Sequence, residues 1–207
     1  MFRRILDASD TCSMLLALVL ASCATPTTAP GDSGADALGA VPEPLRKVRA
    51  TYETPDVVLV DQTNTVHRLP DLLADDRPVV MNFVFTTCTT ICPVMTATFS
   101  QVAEQMRSDT SDLLMISISL DPEYDTPEIL QQYADRYGVG ANWRLLTGRA
   151  HDVLAVLDAF DALSGSKMNH RPYAYARAAG ATEWVRVEGL LPAAQLAHEL
   201  DAALIAQ

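Results

Sequence analysis

The chain has 207 residues, 49% of them apolar and only 20% charged, a globular composition with room for one domain of ordinary size plus a leader. Its formal net charge of −11 excludes nucleic acid and anionic membrane surfaces as natural partners, since both require basic patches. A basic protein face or a cation suits it better.

Arg3 and Arg4 precede an apolar stretch, 13–21, that is too short to span a bilayer but fits a signal-peptide core. It ends in Leu20-Ala21-Ser22-Cys23, which resembles the bacterial lipoprotein cleavage box. Residues 1–22 are therefore expected to be a lipoprotein-type signal peptide, with Cys23 lipidated and the protein anchored on the extracytoplasmic side of the cell envelope. Asp7 and Asp10 are unusual in such a leader, and an ordinary secretory signal or a later start codon remain as alternatives. Cys12 would leave with the leader. Residues 23–50, rich in Ala, Thr, Gly and Pro with no hydrophobic period, read as a flexible tether with a reach on the order of 30 Å. The folded domain is expected over 51–207.

Val57 to Val60, a turn at 61–64 and Val66 to Leu69 read as a hairpin at the start of the domain, at a sheet edge. The run Val79 to Phe85 is continuous, β-branched and aromatic, and too short for a helix, so it reads as a strand buried on both faces. A helix follows from Pro93 to about Arg107, with Met95, Phe99, Val102, Ala103 and Met106 along one face. Leu113 to Leu120 is a second buried strand, and strand, helix and strand make a right-handed βαβ unit with parallel strands. Asp125 or Thr126 can cap the next helix, which has Pro127 in its first turn and Gly138 as its stop. A strand near Trp143 to Leu146, a helix from about Ala150 and a loop from Leu163 to Asn169 come next. Strands near Tyr173 to Arg177 and Trp184 to Val187 then flank a turn at Ala179-Gly180, and a helix from near Pro192 closes the chain.

The chemistry sits between the first buried strand and its helix, in Thr86-Thr87-Cys88-Thr89-Thr90-Ile91-Cys92-Pro93. Both thiols lie at or just before a helix N-terminus, where unpaired N–H groups favour thiolate over thiol. Two Cys four residues apart can turn toward one spot, there to close a disulfide or to bind one soft metal ion. The bland reading, two small buried hydrophobes, also exists for any free Cys.

A CxxxC at a strand-to-helix junction of a βαβ unit suggests a variant of the thioredoxin arrangement. MNFVFTTCTTICPVM (81–95) together with ISLDPEYDTPEILQQYADRYG (118–138) resembles the Sco/SenC family of thioredoxin-fold copper proteins, and the combination of CxxxCP with DPxxDTP makes the resemblance specific. It covers most of 51–207 and implies an α/β, thioredoxin-like fold with a mixed central sheet flanked by helices. It also implies a copper metallochaperone that helps assemble the dinuclear copper site of a haem–copper cytochrome oxidase. The family's ligand set carries over to Cys88, Cys92 and His170, for copper as Cu(I), Cu(II) or both, although Asn169 stands where the family usually has an Asp. The implied partner is the copper-bearing oxidase subunit or another copper protein. Two thiolates and an imidazole suit Cu(I), and Cu(II) accepts nitrogen with thiolate. The competing function is a thiol-disulfide oxidoreductase using the redox pair Cys88 and Cys92, one attacking and the other resolving. Met95 reads as core and Met168 as a thioether near the ligands, while His67, His151 and His198 read as structural or solvated. Asp121 and Asp125 are explained by ending a strand and capping a helix.

Overall fold

A computed structural model describes residues 45–74, 76–106 and 112–205. The expected signal peptide, Cys23 and the tether up to residue 44 lie outside the described residues. Eight strands form one sheet in the order β1-β8-β7-β4-β5-β6-β2-β3. In chain order they are β1 (Arg46–Thr51), β2 (Val58–Asp61), β3 (Val66–Arg68), β4 (Val79–Val84), β5 (Leu114–Ser119), β6 (Trp143–Gly148), β7 (Tyr173–Arg177) and β8 (Glu183–Glu188). The helices are α1 (Leu69–Ala74), α2 (Ile91–Met106), α3 (Pro127–Tyr137), α4 (Ala150–Ala159) and α5 (Ala193–Ile205). Among the described residues no helix is long and apolar enough to cross a membrane.

The sheet is mixed for a reason visible in the connections. β4, β5 and β6 run parallel because α2 and α3 carry the chain back between them, whereas short turns make β2–β3 and β7–β8 antiparallel. All six residues of β4 and all six of β5 are buried, as strands covered on both faces must be. Alternation then divides the core. Val79, Met81 and Phe83 point to the face covered by α1 and α4, with Leu69, Val156 and Phe160, while Val80 meets Phe99, Leu130 and Leu200 from α2, α3 and α5 on the other.

Several boundaries differ from the sequence reading: α2 starts at Ile91, two residues before Pro93, and the end of the expected 163–169 loop is a short 3-10 turn over Lys167–Asn169. Residues 46–50, assigned there to the tether, belong to β1, which pairs antiparallel with β8 along its whole length. Its sequence RKVRAT conceals the strand, because the outward side chains are charged and find Glu partners. Arg46 meets Glu188 at 3.1 Å and Arg49 meets Glu183 at 2.8 Å. The expected hairpin exists as β2–β3 and does form a sheet edge, but β1 precedes it at the opposite edge. The one-turn helix α1, which buries Leu69 and Leu73, was not expected at all. The α3 boundaries follow the expected signals: the Thr126 hydroxyl accepts from the Ile129 N–H, and Gly138 takes the left-handed conformation (φ 66°) that ends the helix.

Candidate metal centre

Three strand ends meet at one end of the sheet. β4 and β5 are parallel and in register up to Val84 opposite Ser119, so both deliver their C-terminal ends there. β7 runs antiparallel to β4 with Asn82 opposite Ala174, so the residues just before β7 arrive beside those just after β4. This register brings a histidine 78 positions away in sequence against the cysteine loop. The His170 ring packs edge-on to Phe85 at 5.6 Å between centroids, and its Nε2 lies 3.5 Å from the Cys92 Sγ.

Cys92 occupies the first turn of α2 and is fully buried; Cys88 precedes the helix and is 6% exposed. Both are free thiols, packed with Val84, Phe85, Ile91 and Leu120. Cys88 Sγ accepts the Cys92 backbone N–H at 3.4 Å and lies 3.6 Å from the Thr90 hydroxyl. Burial opposes ionisation of Cys88, but the Cys92 N–H and the Thr90 contacts outweigh it and bring the thiol down to about 7. Cys92 goes the other way. Its burial pushes the thiol up to about 12, and a neighbouring Cys88 thiolate reinforces the shift. The expectation that the helix N-terminus favours both thiolates is thus corrected for Cys92, where lost hydration outweighs the dipole.

His170 follows a short 3-10 turn, Lys167–Asn169, whose N-terminal cap is the Ser166 hydroxyl accepting from the Met168 N–H. Its Nδ1 lies 3.1 Å from the Lys167 carbonyl oxygen, which can only accept. Nδ1 therefore carries the proton and Nε2 presents its lone pair to Cys92. Burial pushes the imidazole below its ordinary value, against the Lys167 carbonyl, so the ring is neutral at pH 7 and available as a donor.

Among the described residues no group of three His, Cys, Asp or Glu side chains forms a ready-made cage. The donors present nevertheless fit a soft ion. With metal–sulfur and metal–nitrogen bonds of about 2.3 and 2.0 Å, ligands at tetrahedral to trigonal angles stand about 3.5–3.7 Å apart, and Cys92 and His170 already do. Cys88 is held by weaker sulfur contacts that a stronger bond would replace.

Sequence reading missed what holds the cysteine loop. Asp125 is fully buried and does not cap α3. Its carboxylate accepts the Thr86 hydroxyl at 2.5 Å, the Thr86 N–H at 3.2 Å and the Ser119 hydroxyl at 2.5 Å. Burial raises its pKa against the pull of these donors. Asp121 accepts the Thr87 hydroxyl at 3.4 Å and pairs with the Lys167 ammonium. The other residues singled out are elsewhere. Met95 is buried on α2, Met168 is 63% exposed, His67 bonds Asp61 at 2.9 Å, His151 lies 3.2 Å from Asp152 on α4, and His198 is exposed on α5.

The SCO1/SenC family model matches residues 50–180, more than half of the chain. The chain belongs to the SCO1/SenC family. A SCO1 protein homolog of Bacillus subtilis is 41% identical over 68 residues, 32% of this chain and 35% of the relative, so the match spans about a third of that protein. Solved structures agree in fold at low identity. BsSco, a member of the Sco family of cytochrome c oxidase assembly proteins in which a disulfide switch was identified, superposes with a TM-score of 0.64 at 24% identity, covering 78% of this chain and 99% of that one. Arabidopsis thaliana ScoI with copper bound gives 0.62 at 15% identity, with 74% and 99% covered. The fold is thus the mixed-sheet, thioredoxin-like α/β fold of Sco proteins.

Proposed function

We propose that this chain binds one copper ion through the thiolates of Cys88 and Cys92 and Nε2 of His170, and passes it to the copper-bearing subunit of a haem–copper oxidase or to another copper protein. The observation that carries the reading is the approach of His170 Nε2 to Cys92 Sγ, made with the other ring nitrogen committed to a carbonyl. In the copper-free protein the Cys92 S–H satisfies the Nε2 lone pair, and the same lone pair and sulfur are the two donors that an ion replacing that proton would take. Copper is the cargo here. Cys88, poised near neutrality, offers the first thiolate, and Cys92 gives up its proton only when the ion replaces it. Anchoring through a lipidated Cys23 would keep the domain at an extracytoplasmic membrane surface, within reach of a membrane-bound client.

A second reading has one observation in its favour, the asymmetry of the two thiols. As a thiol-disulfide oxidoreductase, the Cys88 thiolate would attack a client disulfide and expel one client thiolate. Cys92 would then attack the mixed disulfide, releasing the second client thiol and leaving Cys88 and Cys92 oxidised while the client gains two electrons. The deep burial of Cys92 under His170 weighs against it as a fast resolving thiol.

An anaerobic titration of the reduced full-length chain against a Cu(I) chelator separates the two. The metallochaperone predicts one tightly bound copper, weakened tenfold or more, about 1.4 kcal/mol, by each of Cys88→Ser, Cys92→Ser and His170→Ala. Weak binding indifferent to His170 would transfer the function to the oxidoreductase.

A further inference from the structure

Among the described groups, one charged pair bridges the two halves of the centre, and both of its ends touch something the centre uses. Lys167 belongs to the turn that leads into His170. Its ammonium pairs with Asp121, and it also lies over the Phe85 ring, 5.5 Å from the centroid. Asp121 in turn accepts the Thr87 hydroxyl, next to Cys88, and its backbone N–H donates to the Ser119 hydroxyl at 3.0 Å. The backbone carbonyl of the same Lys167 accepts the His170 Nδ1–H. The side chain thus fastens the turn to the β5 end, and the main chain fastens the imidazole to the turn.

We infer that the Lys167–Asp121 pair is a latch that holds His170 over Cys92, making Lys167 and Asp121 positioning residues for the third copper ligand. The inference rests on the copper reading given above, but its geometry does not. The other hydrogen bonds of this turn are local to it: the Asn169 N–H to the Ser166 carbonyl at 2.9 Å, the Ser166 hydroxyl to Met168 at 3.3 Å and the His170 N–H to the Lys167 carbonyl at 3.4 Å, while the His170 ring itself also packs on Phe85. Residues 165–169 are all exposed, so little apolar packing replaces the latch if it opens. Removing the ammonium frees the turn from the β5 end and lets the ring that depends on its carbonyl swing away from Cys92. Cys88 and Cys92 remain in place, since Asp125 holds their loop through Thr86 independently. A latch of this kind gives the centre a two-ligand and a three-ligand form, differing in how firmly copper is kept.

The test uses Lys167→Met, which keeps an unbranched stem of similar length and removes the ammonium, and Asp121→Asn, which can still accept from Thr87. In the full-length chain each is expected to weaken Cu(I) binding about three- to tenfold, and Lys167→Arg to stay within about twofold of wild type, since it restores the ion pair. In a His170→Ala background Lys167→Met is expected to change nothing. Raising the salt from low to about 1 M should shrink the difference between wild type and Lys167→Met, as screening of a part-exposed pair requires. The latch is overturned if Lys167→Met leaves copper binding unchanged, or weakens it equally with and without His170. A second measurement needs no copper: carbethoxylation of the histidines by diethyl pyrocarbonate, read peptide by peptide. His170 should react several-fold faster in Lys167→Met and Asp121→Asn than in wild type, with His67 unchanged as the internal control. If His170→Ala itself leaves copper binding intact, the copper reading falls, and the carbethoxylation rates still decide the latch: equal rates in wild type and variants overturn it.

Discussion

The cysteine half and the histidine half of the centre are built to different standards. Cys88 and Cys92 follow a strand buried at every residue, and their loop is tied down by a carboxylate that no solvent reaches. Charge-assisted bonds of this kind contribute about 1.5–3 kcal/mol each. His170 follows an exposed turn held by a half-exposed ion pair, a contact in the range of about 0–1 kcal/mol. On the copper reading proposed above, the difference would make the thiols a preorganised seat and the imidazole a ligand surrendered at smaller cost. A carrier needs both properties, because a site of three rigid ligands holds its cargo against the client.

Breaking the firm half should have the largest effect. Asp125→Ala removes the acceptor of the half-buried Thr86 N–H and hydroxyl and of the buried Ser119 hydroxyl, and is expected to lower the unfolding free energy of the copper-free protein by about 3 kcal/mol, read by denaturant titration. Next comes the contrast within the firm half. Alkylation by iodoacetamide should label Cys88 at a rate that rises through pH about 7, at least tenfold faster at pH 7 than Cys92, whose thiol is held near 12 and buried. Equal labelling would remove the asymmetry. The same shift has a stability consequence of definite sign. The folded pKa of Cys88 lies below its ordinary value of 9.0, so its contribution to stability is complete above pH about 9 and is lost as pH falls through about 7. The smallest effect belongs to the loose half: Ser166→Ala, which removes only the cap of the turn before His170, should cost less than about 0.5 kcal/mol.

The same division marks how much of the molecule could be read from sequence. β4, β5 and α2 were legible because a run such as Val79 to Phe85 has one physical interpretation, and Gly138 ends α3 by backbone chemistry alone, although α2 begins at Ile91 and not at the Pro93 that its sequence suggested. β1 was not, since Arg46-Lys47-Val48-Arg49 reads as a polar linker until Glu183 and Glu188 on β8 supply its partners. Cys88 and Cys92 stood out by spacing, yet the separation of their pKa values depends on burial and on one N–H bond that only the folded loop creates. Asp125 offered a misleading signal. An Asp before Thr-Pro looks like a helix cap, and nothing local shows that the cap falls to Thr126 while Asp125 turns inward to Thr86. The approach of His170 to Cys92 follows from the register of β7 on β4, a long-range fact that no motif spells out.

X-ray absorption on the Cu(I)-loaded full-length chain, beside His170→Ala, tests the central claim most directly. Two sulfur scatterers and one imidazole nitrogen in wild type, with the imidazole signal lost in His170→Ala and both sulfurs kept, is the predicted result. A copper site with sulfur ligands alone in wild type, or an imidazole signal that survives the substitution, would contradict the assignment of His170 and with it the division of the centre into a firm seat and a releasable third ligand.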